Sequence, residues 1–250
     1  MIPASIAQYF AANQEVLWLT TLALDLGFTV MLYRLFGKVG LQVAIATAII
    51  LANLQGPKLT IIFGFETSLG VIFYSSIFFA TDVLSENHGK QAAAKAVWMG
   101  FAVSVIVLVM MSLAMLYQPS TNPASAEFSG DVHDAFGTIL NFTPRFVIGS
   151  LLAYLVSQRF DVWAFHRIKR ITGERWLWLR NNGSTMASQA IDTVIYSLVV
   201  WWGTVSLEHA LALGATKYVF KLVIAAIDTA FIYWAKHSFL QHRPPASRPA

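Results

Sequence analysis

Residues 92–117 read AAAKAVWMGFAVSVIVLVMMSLAMLY, a stretch in which Lys95 is the only charged side chain. A helix needs about 20 apolar residues to cross the roughly 30 Å hydrocarbon core of a bilayer. This stretch therefore predicts a transmembrane helix. The composition of the whole chain agrees, because 56% of its 250 residues are hydrophobic and only 12% are charged. The charged share is about half that of a typical soluble domain.

The other apolar residues also lie in long blocks. Together the blocks predict seven transmembrane helices, at about residues 15–36, 39–56, 69–85, 92–117, 142–165, 185–206 and 218–234. They occupy most of the chain, so the sequence predicts an all-α integral membrane protein with one transmembrane domain, residues 1–236. Residues 237–250 contain three prolines and are predicted to form a disordered cytoplasmic tail. The first block lacks the positive n-region of a signal peptide, because Arg34 is the first Lys or Arg.

The basic residues predict an orientation for this bundle. With seven helices, 13 of the 17 Lys and Arg fall on one side and 4 on the other. Cytoplasmic loops carry the excess of Lys and Arg, so we expect the N-terminus outside and the C-terminus inside. The basic stretch from Arg159 to Arg180 is then a cytoplasmic loop, and no nucleic-acid partner is expected. The expected partners are a small molecule and membrane lipid, and the sequence leaves a homodimer open.

Several kinds of chemistry have no motif in the sequence. The chain has no Cys, no Gly-x-x-x-x-Gly-Lys phosphate loop and no His-Glu-x-x-His metal motif. We therefore expect neither a metal site nor a cofactor nor enzymatic activity, and a small-solute transporter is the leading interpretation. Two alternatives remain. The first is a substrate-capture subunit that depends on a separate energising ATPase, and the second is an intramembrane enzyme with an aspartyl dyad.

Acidic residues fall within the predicted helices, where an ionised carboxylate costs at least about 2.5 kcal/mol at the bilayer centre. They are Asp25, Asp82, Asp161, Asp192 and Asp228. The predicted helix directions place Asp82, Asp161 and Asp192 at similar depth in the cytoplasmic half, on three different helices. The sequence therefore predicts a shared polar cavity between the third, fifth and sixth helices. For each residue alone, a purely structural pairing with Arg or backbone is the alternative.

Rings and amides share helical faces with these acids. Phe78 and Glu86 lie four residues on either side of Asp82, Gln158 lies near Asp161, and Gln189 and Tyr196 flank Asp192. Rings can stack on a flat ligand, while a carboxylate accepts two parallel hydrogen bonds from a guanine-like edge. Asn53, at the outer end of the second helix, is a candidate for an outer entrance. The pattern favours a planar ligand that donates hydrogen bonds.

The same residues carry a resemblance to the queuosine precursor transporter family, also called a vitamin uptake transporter family. The matching stretches are 79–90 (FATDVLSENHGK), 51–53 with 63–64, the run from Gln158 to Phe165, and Asn181 to Thr193. The similarity extends roughly from Asn53 to the end of the seventh predicted helix. His88 departs from the aromatic residue expected at its place, and the first helix lies outside the shared core.

The resemblance implies a multi-pass protein of the cell inner membrane. Such a protein would import 7-deazaguanine precursors of queuosine (preQ0, preQ1 or queuine) for tRNA modification. It also implies which residues bind the substrate, with Phe78 and Tyr196 as stacking candidates. The predicted binding residues are Asn53, Phe78, Asp82, Glu86, Gln158, Asp161, Gln189, Asp192 and Tyr196. Which precursor is preferred and what drives transport stay open at this point.

Overall fold

A computed structural model describes residues 3–56, 58–140, 144–173, 175–201 and 206–241. Within these ranges the chain is helical apart from one β-hairpin, which agrees with the all-α prediction. The helices are α1 (Ala4–Ala12), α2 (Gln14–Gln55), α3 (Gly70–His88), α4 (Lys90–Ala114), α5 (Ala126–Leu140), α6 (Pro144–Thr172), α7 (Leu177–Tyr196) and α8 (Leu207–Gln241). A π-helical turn, Ser197–Trp201, continues α7, and β1 (Leu59–Ile62) pairs antiparallel with β2 (Phe65–Ser68).

The long helix α2 contains a break at Gly37. Its backbone angles there, φ 57° and ψ −138°, are outside the helical region. Glycine adopts positive φ without the steric cost that a Cβ would bring. The break lies in the gap between the predicted helices 15–36 and 39–56.

The outer surface of the bundle is apolar. By length and composition, the described part of the chain has three helices able to cross a membrane: Gln14–Gln55, Lys90–Ala114 and Gly214–His237. The exposed face of α4 carries Ile106 and Met110, each 60% exposed. Large apolar patches of this kind suit contact with lipid better than contact with water. The count of seven spans and the direction of the termini stay predictions.

Helix α3 forms the centre of the bundle. Residues 70–73 and 75–86 are all buried, and α3 packs against α2, α4, α6 and α8. Helix α6 packs along α7, and α8 packs against both α3 and α7. Gly100 lets α4 approach α6, because a Cβ there would overlap the hydroxyl of Tyr154. Polar side chains from α3, α6, α7 and α8 consequently face one another in the interior.

Several helices are longer than the sequence predicts. Helix α6 continues to Thr172 and α7 begins at Leu177, so the loop predicted between residues 165 and 185 is reduced to 173–176. Helix α8 extends beyond both ends of the predicted 218–234 helix, from Leu207 to Gln241. The prediction ended helices at charged residues, which were expected to face water. Here charged residues at these helix ends are paired inside the protein, as described below.

A further helix lies where the sequence predicts an outer loop. Helix α5 is too short to span a bilayer and places Phe128, Val132 and Phe136 on one face, at intervals of four residues. A search for long apolar blocks does not find such a helix. Of the tail predicted for residues 237–250, the first five residues belong to α8. The rest of that tail, together with residues 141–143 and 202–205, lies outside the described residues.

Candidate functional site

The polar interior consists of three layers along the axis of α3. Tyr74, Phe78, Asp82 and Glu86 recur every four residues, so each step moves about 6 Å along the helix. We call the first layer, around Asp192 and Tyr74, the cavity layer. The second, built on Asp82, Asp161 and Asp228, is the central cluster. The third, around Glu86, is the Glu86 cluster.

A cavity of about 370 Å³ lies at the end of the bundle that carries the β-hairpin. It reaches from Leu59 and Ser68 of the hairpin strands to the side chains of the cavity layer. The polar and aromatic residues that matter most in its lining are Asn53, Tyr74, Asp192, Tyr196, Lys217 and Lys221. A smaller cavity of about 100 Å³ shares Asn53 and Tyr74 with it. Three predicted site residues therefore line one cavity: Asn53, Asp192 and Tyr196.

Asp192 lines this cavity, and both of its carboxylate oxygens accept hydrogen bonds. It accepts hydrogen bonds from the Tyr74 hydroxyl at 2.5 Å and the Ser157 hydroxyl at 3.4 Å. Its other oxygen accepts from Lys221 Nζ at 2.5 Å, in an ion pair whose side chains are 6% and 8% exposed. The Lys221 ammonium also lies 4.8 Å from the centre of the Tyr74 ring. Asp192 and Lys221 therefore hold α7 and α8 together beside the cavity.

The sequence interpretation missed Lys221. It was counted only as a basic residue of the outer side, although it lies within the predicted span 218–234. Lys217 lies one turn before it, with its ammonium 4.7 Å from the centre of the Tyr196 ring. Two lysines four residues apart at the start of an apolar helix were the available signal, because basic residues in spans usually face a partner or a cavity.

The central cluster brings together acids from three helices around α7. Asp82 on α3 accepts from the Thr185 hydroxyl at 3.0 Å, and Asp161 on α6 accepts from the Ser188 hydroxyl at 2.9 Å. Asp228 on α8 accepts from the Asn181 amide at 2.9 Å. Oδ1 of Asp82 and Oδ2 of Asp161 are buried and have no hydrogen-bond partner in the described chain.

Two amide side chains of the same helices have no partner. Gln158 on α6 and Gln189 on α7 are 0% and 1% exposed, respectively. Among the described residues, neither the amide nitrogen nor the amide oxygen of either side chain has a hydrogen-bond partner. A buried polar group without a partner costs about 1–3 kcal/mol, and such groups are rare in folded proteins. These two amides are therefore available to bind a polar ligand inside the bundle.

The Glu86 cluster closes the opposite end of the interior. One oxygen of Glu86 accepts from Arg180 Nη2 and Lys236 Nζ, each at 2.6 Å. The other accepts from Arg180 Nε and Lys169 Nζ, each at 3.0 Å. A carboxylate has about four acceptor sites, so cations from α6, α7 and α8 use all of them. This geometry favours a structural role for Glu86 over contact with a ligand.

The remaining predicted residues also have defined places. Phe78 is fully buried, and its ring lies 5.8 Å from that of Tyr74, between the cavity layer and the central cluster. Asn53 donates to the Ile49 carbonyl at 3.0 Å. Asp192 is seven residues beyond Thr185 on α7, which is about 10 Å. The acids therefore lie at two depths rather than the single depth expected, because α7 begins at Leu177 instead of near residue 185.

An apolar helical exterior, a cavity at one end and a polar interior closed at the other are the features of a membrane transport protein. A family described as "Putative vitamin uptake transporter" matches residues 68–235, and this chain belongs to that family. It is 37% identical to a "Probable queuosine precursor transporter" of Bacillus subtilis, over 88% of this chain and 93% of that protein. It is 26% identical to the "Queuosine precursor transporter" of Escherichia coli, over 66% of this chain and 71% of that protein. No solved structure matches the chain significantly.

Proposed function

We propose that this chain is a multi-pass protein of the cell inner membrane that imports 7-deazaguanine precursors of queuosine for tRNA modification. The names of the relatives from Bacillus subtilis and Escherichia coli support this substrate class. A further relative, from Haemophilus influenzae, is named "Probable queuosine precursor transporter" and is 26% identical over 66% of both chains. A transport role, as opposed to an enzymatic one, agrees with the family.

The observation that carries the proposal is the set of unpartnered groups between α3, α6 and α7. Within the described chain, Asp82 and Asp161 each have one carboxyl oxygen without a hydrogen-bond partner. The side-chain nitrogen and oxygen of Gln158 and Gln189 have no partner there either. A deazaguanine presents a ring N–H and an exocyclic amine beside a carbonyl. Carboxylates can accept from the two donors, and an amide can donate to the carbonyl. The donors and acceptors of the site and the base are therefore complementary.

Aromatic rings extend this site towards the cavity. We propose that the base enters at the hairpin end, where Tyr196 and Tyr74 line the cavity, and passes Phe78 to reach the carboxyls. Flat rings of this kind offer stacking contacts worth about 1–3 kcal/mol per base. Asn53 and Asp192 would then act at the entrance, while Asp82, Gln158, Asp161 and Gln189 would bind the edge of the base.

The direction of transport follows from the orientation that the basic residues predict. The Glu86 end holds Lys169, Arg180 and Lys236 together with the exposed Arg167 and Arg170. An excess of Lys and Arg marks the cytoplasmic side. We therefore propose seven spans with the cavity open to the outside, the N-terminus outside and the C-terminus inside. The Glu86 cluster would separate the bound base from the cytoplasm until the bundle rearranges.

Uptake by cells that need an external precursor tests this function. Cells that cannot make the precursor should depend on the intact chain for uptake of labelled precursor. They should lose this uptake when Asp82 is replaced by Asn, because a neutral amide cannot accept both donors of the base as a carboxylate does. The matched control is Asp25→Asn, which changes an acid on α2 outside the central cluster. Normal uptake by Asp82→Asn protein at normal membrane levels would contradict the proposed site.

A substrate-capture subunit energised by a separate ATPase is the alternative for the same substrate. The chain has no phosphate loop of its own. Purified protein in liposomes separates the two, since an independent transporter should move labelled precursor without any other protein. Binding of the precursor without transport in liposomes would favour the subunit.

A further inference from the structure

The charges in the three layers are balanced in different ways. Asp192 in the cavity layer pairs with Lys221, and Glu86 pairs with Lys169, Arg180 and Lys236. In the central cluster, by contrast, Asp82, Asp161 and Asp228 form no ion pair with any Lys or Arg of the described chain. They are 1%, 0% and 2% exposed. Three buried carboxyls without a cation repel one another if all are ionised, so such a group retains protons.

The hydrogen bonds of the cluster also favour a proton on a carboxyl. The Ser188 hydroxyl lies 2.9 Å from Asp161 and 3.0 Å from the Thr185 carbonyl, and both of these atoms accept. A hydroxyl has a single proton and can fully satisfy only one of them. Both contacts are satisfied when Asp161 carries a proton and donates it to Ser188 Oγ, while the Ser188 hydroxyl donates to the Thr185 carbonyl.

Polar atoms near the acids are free to form hydrogen bonds when the protonation of a carboxyl changes. The Asn181 side chain donates to Asp228 while its oxygen has no partner in the described chain, and the hydroxyl of the buried Ser85 on α3 has none either. The nearest ion pairs along the axis are Asp192 with Lys221 on the cavity side and Glu86 with Arg180 on the other. Both pairs are complete in themselves, so neither supplies a counter-charge to the central cluster.

We propose that the central cluster binds a proton that is transported together with the base, so that the chain is a proton-coupled symporter. The proposal rests on the proposed function, because it assigns the driving force for the same site. A proton from water at the cavity forms an O–H bond with a carboxylate of Asp82, Asp161 or Asp228. The base then binds to the carboxylate that stays ionised. When the bundle opens at the Glu86 end, the base leaves, the O–H bond breaks and the proton passes to cytoplasmic water.

This cycle explains why the site has several acids where one would bind the base. A single ionised carboxylate can accept the two N–H groups of a deazaguanine, and the remaining carboxyls are free to hold the proton. Net movement is one base and one proton in the same direction, with no other reactant. An inward proton gradient therefore drives accumulation of a base that carries no charge itself.

The experiment uses the full chain in liposomes that contain a pH-sensitive dye. Addition of external preQ0 should acidify the interior in proportion to the labelled base taken up. An inward proton gradient should raise the base above its external concentration, and a protonophore should abolish this accumulation. Base uptake at the same rate with and without the gradient, and without acidification, would overturn the proposal while leaving the proposed function intact. Failure to bind or move any deazaguanine would overturn both.

A substitution at Asp228 tests whether the transported proton binds to the central cluster. Asp228→Asn keeps an oxygen that can accept from Asn181 but cannot be protonated, so the number of protons moved per base should fall. Asp25→Asn is the control and should leave that ratio unchanged. An unchanged ratio in Asp228→Asn protein that still carries the base would exclude Asp228 from the cluster's proton site. If the variant does not fold, the measurements on the unmodified chain decide the proposal alone.

Discussion

Lys221 Nζ donates to Asp192 Oδ2 at 2.5 Å, joining α8 to α7 beside the cavity. The same carboxylate accepts from Tyr74 on α3 and Ser157 on α6. A single acid therefore links four helices at the place where the cavity meets the closed interior. In the proposed transport cycle these helices must move relative to each other, so this pair has to be stable and yet able to separate.

Breaking the Asp192–Lys221 pair from one side should destabilise the protein. Removal of one partner of a buried ion pair costs about 3–5 kcal/mol, whereas replacement of both partners is often near neutral. We expect Lys221→Met to lower the free energy of unfolding by about 3 kcal/mol, and Asp192→Asn combined with Lys221→Met to recover most of it. Denaturant unfolding in detergent measures both values. Lys217→Met, one turn away and in no ion pair of the described chain, is the control.

Unpartnered buried amides should matter for binding and not for folding. Gln158 and Gln189 make no hydrogen bond in the described chain, so Gln158→Leu or Gln189→Leu removes a desolvation cost of about 1–3 kcal/mol without losing a bond. We expect the thermal stability of the protein without substrate to stay equal or rise, and the stabilisation by added preQ0 to disappear. Asn181→Leu is the matched comparison, because it loses a real bond to Asp228 and should lower stability. A fall in stability for the glutamine variants would show that these amides have structural partners.

The sequence predicted the helices well where they are apolar throughout. The division of α2 near Gly37 and the bounds of α3 and α4 follow from blocks of apolar residues ended by polar ones. It predicted the ends of α6, α7 and α8 poorly, because Lys169, Arg180 and Lys236 were expected in water. All three cations pair with the Glu86 carboxylate. A pairing between four helices produces no recognisable pattern in the sequence of any one helix.

The candidate site was predicted by residue type better than by arrangement. Spacing on helical faces identified the acids Asp82, Asp161 and Asp192 with their neighbouring amides. It could not separate Asp192 from the other two, since that depends on where α7 begins. It also could not show that Glu86 is already saturated by cations, or that Lys221 neutralises Asp192. Ion pairs between distant parts of the chain are visible only in the folded structure.

The Glu86 cluster should control access to the interior from the cytoplasmic side of the membrane. Glu86→Gln removes the negative charge that three cations share, and the remaining Lys169, Arg180 and Lys236 then repel one another. The chain has no Cys, so a single cysteine at the buried Ser85 reports on this end without further changes. We expect Glu86→Gln to increase the rate at which Ser85→Cys reacts with a thiol reagent applied from the cytoplasmic side. A cysteine in place of Gln91, an exposed residue at the start of α4 on the proposed cytoplasmic side, is the control, and its rate should not depend on Glu86. An unchanged rate at residue 85 would show that the cluster does not close this end.

The charge of the cavity should favour some precursors over others. Lys217 and Lys221 line it with a single carboxylate, Asp192, which is already paired with Lys221. Lys217 therefore leaves the described lining with an excess positive charge, which repels an amine-bearing precursor such as preQ1 but not the nitrile-bearing preQ0. At an effective dielectric constant of about 20, such a repulsion over about 8 Å amounts to roughly 2 kcal/mol, and water in the cavity reduces it to about 1 kcal/mol. We expect Lys217→Met to improve the competition of preQ1 against labelled preQ0 about fivefold, with a smaller change at high salt. Lys58 is an exposed lysine next to the hairpin and does not line the cavity. Lys58→Met should therefore leave the competition of preQ1 against labelled preQ0 unchanged. If preQ1 competes equally well against labelled preQ0 in Lys217→Met and in the unmodified chain, selection between precursors takes place deeper, at the central cluster.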